Sequence, residues 1–361
     1  ICRRFMYKES DVHQIDLPKR IVIGTKVRED LPRHLKELDI KGVVIIITGS
    51  SSTISIGDEL RSILSGHGYE VFTFKTREPT IDEVRKIVND VLKDHLKPKA
   101  VLGVGGGKAI DVAKYVSKEL HTDLISIPTT LSHDGVASPF ASLKGMNTLV
   151  SIKTTTPLMI MVDMDYVIKA PRRHLIAGVG DLVAKYTAVL DWRLAHNLLG
   201  EYYAEYSASL AIHSANHVLT SWEKIKYGSE EGYRVVAEGL ISSGVAMCIA
   251  GSTRPASGSE HLFSHALDFV ANYPALHGEQ VGVGTIMMAY LHGKNWRKIR
   301  NILKNIGAPV TARELGVSEE KIIEALTIAH KIRPDRYTIL GREGLSWKAA
   351  ENLARNTGVI S

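Results

Sequence analysis

KAVLGVGGGKAIDVAK, residues 99–114, decides the fold. An apolar run, AVLGV, breaks into three consecutive glycines and then turns to helical spacing from Lys108 onward. This is the sequence of a buried strand that feeds directly into a helix. Glycines at such a junction let the backbone approach a phosphate, and the unpaired N–H groups of the helix start point at it. Two familiar phosphate loops do not fit. A Walker A loop needs glycine at position 102, which is Leu, and Ser or Thr at position 109, which is Ala. The dinucleotide fingerprint matches Gly103 and Gly105 and then meets Lys108 where its third glycine belongs.

Outward from this junction, strands and helices alternate. VVIIIT (43–48), EVFTF (70–74) and LISIP (124–128) read as strands, with helices expected around 56–64, 81–95 and 108–120. Residues 137–152 read as a hairpin and LMIMVD (158–163) as a further buried strand. Strand–helix–strand spacing of this kind makes a parallel, doubly wound sheet. After Pro171 apolar residues recur at helical spacing to Asn356 and strand-like alternation almost vanishes. The expected organisation is an α/β nucleotide-binding domain with a Rossmann-like parallel sheet over 1–168, and an all-α domain over 169–361. Ligands are expected where the two meet.

Composition narrows the function. With 44% hydrophobic residues in 361, the chain can bury sizeable cores and does not read as disordered. Its net charge of +6 comes from scattered Lys and Arg that are not interleaved with aromatics, which argues against nucleic acid and fits an anionic small-molecule substrate and cofactor. Two cysteines are too few for a disulfide framework or a thiolate metal site, and a reducing, cytoplasmic setting is expected. The longest apolar run, GVVIIITG (42–49), is far short of a membrane span, and no signal-peptide pattern opens the chain. The chain begins with Ile1 rather than Met, so a start further upstream is expected.

Two further stretches carry chemistry. PTTLSHDGVASP (128–139) follows a strand with hydroxyls, His133 and Asp134, where doubly wound sheets bind ligands. SGSEHLFSHALDFVANYPALHGE (257–279) holds His261, His265 and His277. His261 and His265 are four apart and share a helix face, and His277 stands where a loop meets the next helix. Imidazoles bind zinc or iron well, and the best acidic companion is Asp181 in GVGDLVAK. An Asp/His/His set with an open position would polarise a carbonyl or hydroxyl. Spacing alone does not establish that the three converge. The end of the first long strand, TGSSST (48–53), bears no carboxylate to repel a ribose 2′-phosphate, which leaves NADPH open beside NADH.

In order, VGGGKAIDVAK, PTTLSHDGVASP, GVGDLVAK, RPASGSEHLFSHALD and LHGEQVGVGT resemble the superfamily of glycerol dehydrogenases, iron-containing alcohol dehydrogenases and dehydroquinate synthases. The likeness runs from LPKRIVIG (17–24) to just past His277. The resemblance implies a dehydroquinate synthase-like fold and one zinc ion on Asp181, His261 and His277, with His265 facing the substrate. It implies that Asp134 binds substrate hydroxyls alongside Asp181 and His265, and that Asp134 and His265 are the catalytic pair. Nicotinamide-cofactor contacts fall on Gly105, Gly106, Gly107, Lys108, Ala109, Ile110, Asp111, Thr129, Thr130, Leu131, Ser132 and Ser138.

Glu260 stands where dehydroquinate synthases carry glycine, and the simple glycerol dehydrogenases lack SHDG and RPASGSEH. The simple glycerol dehydrogenases also carry a carboxylate near the end of the first strand, and these two differences from them favour a phosphorylated substrate. The expected reaction is reduction of dihydroxyacetone phosphate by NADH or NADPH to sn-glycerol 1-phosphate, a step towards archaeal-type ether phospholipids. Arg254, Lys144 and Lys153 are the candidate phosphate-binding cations. A polyol dehydrogenase, a lyase of the dehydroquinate synthase kind and a non-catalytic nucleotide-binding module are the alternatives. A homo-oligomer, dimer or octamer, is expected, with neither nucleic acid nor membrane as partner.

Overall fold

The computed structural model describes residues 13–49, 52–144 and 149–361. A six-stranded sheet forms the first half, in the order β1-β8-β5-β4-β2-β3. Its members are β1 (Arg20–Gly24), β2 (Val43–Gly49), β3 (Glu70–Thr76), β4 (Ala100–Gly105), β5 (Asp123–Pro128) and β8 (Met159–Asp163), and every pairing is parallel. The apolar runs of these strands follow from burial on both faces. Val44 and Ile46 pack with Leu60 and Leu64 on one side, while Ile45 and Ile47 pack with Val84, Ile87 and Val112 on the other. β1, within the LPKRIVIG stretch, is a strand beyond those that periodicity predicts, and it lies at an edge against β8. β6 (Phe140–Lys144) and β7 (Leu149–Lys153) form the expected antiparallel hairpin. Its turn, 145–148, lies outside the described residues, as do Ser50 and Ser51 of the TGSSST stretch.

From β2 the chain steps outward to β3, then returns across β2 to place β4 on its other side. The order therefore reverses between β2 and β4, and a crevice opens beyond their carboxyl ends, where ligands of doubly wound sheets bind. The glycine junction 105–107 lies at this crevice. Gly105 has φ +150°, and a side chain there would meet Ala109 Cβ at 2.9 Å. The helix Gly107–Leu120 then starts at once, with its Lys114 buried against Asp111 at 3.3 Å and the Phe140 carbonyl at 2.6 Å.

Beyond β8 and a short helix, Met164–Lys169, the described chain is helical and contains no strand. The helix His277–Leu291 runs through the centre, with Gly278 to Ala289 buried on every side, as suits a helix apolar all round. It crosses the helix Arg172–Val183 at glycines. A Cβ on Gly180 would lie 2.1 Å from the Gly278 carbonyl oxygen, and one on Gly278 would lie 1.9 Å from that of Ala177. Only at glycine can these two backbones approach so closely, and the approach brings Asp181 beside His277. The helix Glu230–Ala250 has the length and composition of a membrane span, but 72% of its most apolar window is buried in the protein. It is a core helix, packing Val236, Leu240 and Ile241 against Val179 and Leu182.

Candidate active site

Two cavities meet between the sheet and the helices. The first is a groove over the crevice, walled by Gly49, Ser52 and Thr53 after β2, Thr76 and Arg77 at the end of β3, and Gly106 to Ala109 after β4. Thr129, Thr130, Ser132 and His133 after β5 complete that wall, and His174, Ala177 and Gly278 close it from the helical side. Among the expected cofactor contacts, Gly106, Gly107, Lys108, Ala109, Thr129, Thr130 and Ser132 thus face one groove. Ile110 and Leu131 do not; they are 0% and 2% exposed and pack in the core beneath it, where apolar side chains gain most. Asp111 and Ser138 line the second cavity, and neither side chain is free. Asp111 accepts from Lys114 Nζ and from the Ser142 N–H at 3.1 Å, and Ser138 Oγ accepts from Lys114 Nζ at 3.3 Å.

The second cavity, about 360 Å³, has room for a triose phosphate and holds the histidines. Gly107, Lys108, His133 and His277 line both spaces, so a ligand in one abuts a ligand in the other. His133 Nδ1 accepts from the Gly135 N–H at 2.9 Å, and its ring covers Gly107 so closely that a Cβ there would meet Nε2 at 1.8 Å. No larger residue fits at 107 while His133 keeps this place.

The donor atoms of Asp181, His261 and His277 lie within 4.8 Å of one another. Each is aimed from behind. The helix Ser259–Ala271 is anchored at its first residue by Asp191, which accepts from the Ser259 N–H at 2.7 Å. Glu260 accepts from His261 Nδ1 at 2.9 Å, which turns Nε2 of that ring to within 3.4 Å of Asp181 Oδ1. Glu260 is itself held by the Gly258 N–H at 2.6 Å and the Thr187 hydroxyl at 2.7 Å. His277 Nδ1 is 3.2 Å from the Ser264 hydroxyl. One carboxylate and two imidazoles, oriented by outer partners and opening onto a cavity, fit zinc or iron with a coordination position to spare.

His265 lies one helical turn beyond His261 and stacks on His277, with ring centroids 5.5 Å apart. It lines the cavity, its Nδ1 is buried without a hydrogen-bond partner, and Asp268 Oδ2 is 3.9 Å away. Burial pushes the pKa of both His265 and His277 down, only partly opposed by Asp268 in the case of His265. For His261 burial acts in the same sense, but Asp181 and Glu260 outweigh it and the net shift is upward.

Sequence reading gave no role to Lys185. It is fully buried, with Nζ 2.8 Å from Asp134 Oδ2 and 3.1 Å from Asp181 Oδ1. Burial alone would push the Lys185 pKa down, yet the two carboxylates raise it, so it is a buried cation clamped between them. Burial likewise works to raise the Asp181 pKa, and Lys185 with His261 drives it below the ordinary range instead. Asp134 also donates its backbone N–H to Asp181 Oδ2 at 2.9 Å and accepts from Ser243 Oγ at 2.7 Å. The signal for Lys185 was in view, since Asp181 and Lys185 are four apart in an otherwise apolar helical stretch.

Two expected phosphate cations are misplaced. Arg254 is 4% exposed and lines neither cavity; its Nε donates to Glu201 at 2.6 Å and its Nη2 to the Tyr337 carbonyl at 2.9 Å, while Nη1 is buried without a partner. Lys153 is exposed at the end of the hairpin, where its carbonyl accepts from Lys118 Nζ at 2.9 Å, and it too lies off both cavities. Lys144 does line the second cavity, but Glu78 holds its Nζ at 3.0 Å.

The sequence model of the iron-containing alcohol dehydrogenases matches residues 22–171. A glycerol-1-phosphate dehydrogenase [NAD(P)+] of Aeropyrum pernix is 53% identical over 349 residues, which cover 96% of this chain and 99% of that one. The chain belongs to the glycerol-1-phosphate dehydrogenase family. Among solved structures, the glycerol dehydrogenase of Schizosaccharomyces pombe aligns with a TM-score of 0.77 at 19% identity, over 98% of this chain and 92% of that one. The sulfoacetaldehyde reductase of Bifidobacterium kashiwanohense, solved with NAD+, aligns at 0.76 and 16% identity over 97% and 100%. At these identities the likeness is one of fold, the dehydroquinate synthase-like arrangement of a parallel sheet and a helical half. Membership of the glycerol-1-phosphate dehydrogenases makes this chain an NAD(P)-dependent, metal-dependent oxidoreductase.

Proposed function

We propose that the chain reduces dihydroxyacetone phosphate with NADH or NADPH to sn-glycerol 1-phosphate, with the dinucleotide in the groove and the triose phosphate in the histidine cavity. The observation that carries this reading is the convergence of Asp181, His261 and His277 at the point where the two cavities join. These three residues would hold a zinc ion, a Lewis acid for the substrate oxygens, while NAD(P)H is the source of hydride.

The residues of the chain do the rest. Gly106 and Gly107 leave the start of the helix open to the cofactor's phosphates. Asp134 Oδ2 is committed to Lys185 and Ser243, which fixes the carboxylate and leaves Oδ1 to orient a substrate hydroxyl. His265, kept neutral by burial, is placed to relay the proton that the C2 oxygen must gain as C2 gains hydride. One ketone, one hydride and one proton give the secondary alcohol, and the face presented to hydride sets the sn-1 configuration.

Chain division near residue 168, a cytoplasmic location and a homo-oligomeric state belong to the same proposal. The +6 charge and the two cysteines support the anionic ligands and the reducing compartment.

Absorbance at 340 nm, with zinc-loaded protein, NADPH and dihydroxyacetone phosphate, tests the reading. Chelated protein should be inactive, and the product should be ignored by a dehydrogenase specific for glycerol 3-phosphate. Faster turnover of unphosphorylated glycerol with NAD+ would move the chain to the polyol dehydrogenases.

A further inference from the structure

A triose phosphate carries a dianion into a cavity that also contains Asp134, Asp181 and Asp268, so a cation must meet it there. Three cationic side chains line the cavity: Lys108, Lys144 and Arg333. The two lysines share a single carboxylate, Glu78, at 3.0 Å each, so both Nζ atoms are engaged and the trio keeps a net charge of only +1. Arg333 differs from them. Among the described residues its guanidinium has no carboxylate within 4.0 Å and donates no hydrogen bond, and the residue is half-buried. Burial lowers its pKa, and only the more distant charge of Asp335 opposes this. None of its nitrogens is among the buried unpartnered atoms, so the guanidinium can exchange water for an anionic ligand and gain a charge-assisted contact.

The local sequence explains where this side chain points. In KIRPDRY (331–337) the proline at 334 disfavours helix at the residue before it. The helix Glu319–Ile332 accordingly stops, and Arg333 leaves the helical region at φ −138°, ψ 87°. Arg336, three residues on, is spent on structure. It donates to the Ser257 carbonyl and, at 2.7 Å, to the Thr253 hydroxyl, which fixes the loop that walls the same cavity. The charge of Arg333 also reaches His265, whose pKa it helps to depress.

We propose that Arg333 is the residue that binds the substrate phosphate and so selects a phosphorylated triose over the free one. The planar fork of a guanidinium matches two phosphate oxygens, and the contact is charge-assisted. This inference rests on the reading of a phosphorylated substrate given above.

The test compares zinc-loaded wild type, R333M and R333K on dihydroxyacetone phosphate and on dihydroxyacetone, with inorganic phosphate as inhibitor. For R333M, KM for the phosphorylated substrate and the inhibition constant of phosphate should both rise by about 10- to 100-fold. Its kcat/KM for dihydroxyacetone should stay within about 2-fold of wild type, and R333K should recover part of the loss, because a point charge replaces the fork. A parallel fall on both substrates would overturn the proposal in favour of a structural role. Unchanged constants for phosphate would overturn it in favour of another cation, with K144M the next variant to shift them. A wild type that does not prefer the phosphorylated triose would instead defeat the functional reading, and Arg333 with it; a wild type that prefers it while R333M keeps the same preference defeats only the role of Arg333.

Discussion

The groove over the sheet and the cavity among the helices share a wall, yet they are built by opposite means. The groove consists mostly of backbone, glycine and hydroxyl groups at strand ends, where the peptide itself offers donors. The cavity rests on charges taken out of water: Asp181 is 1% exposed, and Lys185 and Glu260 are at 0%. Each of these is tolerable only because another group faces it, so they form one electrostatic unit. A groove of the first kind should survive single substitutions with graded losses. The second kind should fail sharply when one member is removed.

The sharpest failure is expected for H261A. Loss of one of three ligands should abolish stoichiometric zinc, measured by elemental analysis of the purified protein, and lower kcat/KM by about 1,000-fold or more. A variant that retained both metal and activity would show that the three donors do not act as a metal site. Next is K185M, which keeps an unbranched apolar stem and removes the charged terminus. Breaking a buried ion pair from one side costs about 3–5 kcal/mol, and here two carboxylates lose their shared cation. Urea unfolding of chelated protein should show that loss. Zinc-loaded protein should lose less, because the ion takes over the neutralisation of Asp181. Equal losses in the two states would mean that Lys185 and the metal ligands are not one unit.

The difference between the regions also governs how much could be read from sequence. The groove was legible because its parts are local: three glycines between an apolar run and a helix mark it without any knowledge of the rest of the chain. The strands buried on both faces were legible for the same reason. The edge strand β1 was not read as one; only its neighbour β8 says what it is. In the cavity, the resemblance named the ligands, but what holds them had no local mark. Glu260 looked like a departure from a related pattern and proves to orient His261. Lys185 lies in GVGDLVAK, but a lysine in a helix is ordinarily at the surface and nothing local marks this one as buried. Charge alone marks Arg254 as a phosphate cation, but Glu201, 53 residues away in the chain, pairs with it. Arg333 lies beyond the stretch that carries the likeness, and its exposure to the cavity follows from a proline rather than from any motif.

A milder effect should separate aim from ligation within the cavity. E260Q retains the size and the hydrogen-bonding oxygen while removing the charge that opposes His261 Nδ1–H. Outer-sphere partners of this kind change metal affinity by about 10- to 100-fold. Competition for zinc against a chromophoric chelator should reveal a loss in that range, with full activity restored at saturating zinc. No change in affinity would reduce Glu260 to packing and to its bonds with Thr187 and Gly258.

The smallest effect belongs to the groove. Arg77 follows β3 and lines the groove with Gly49, Ser52 and Thr53 at the neighbouring strand end, and those three bear no carboxylate. A nicotinamide cofactor with a ribose 2′-phosphate would gain from a cation there, and one with a free 2′-hydroxyl would not. Arg77 is exposed, so water and salt weaken the attraction. R77S should therefore raise KM for NADPH by about 3- to 10-fold at low salt, less at high salt, and leave KM for NADH within about 2-fold. If both constants rise together, Arg77 shapes the groove without reading the ribose. If neither moves, the choice between the two cofactors lies with the hydroxyls after β2, which is the kind of dispersed, backbone-led recognition that distinguishes this groove from the cavity beside it.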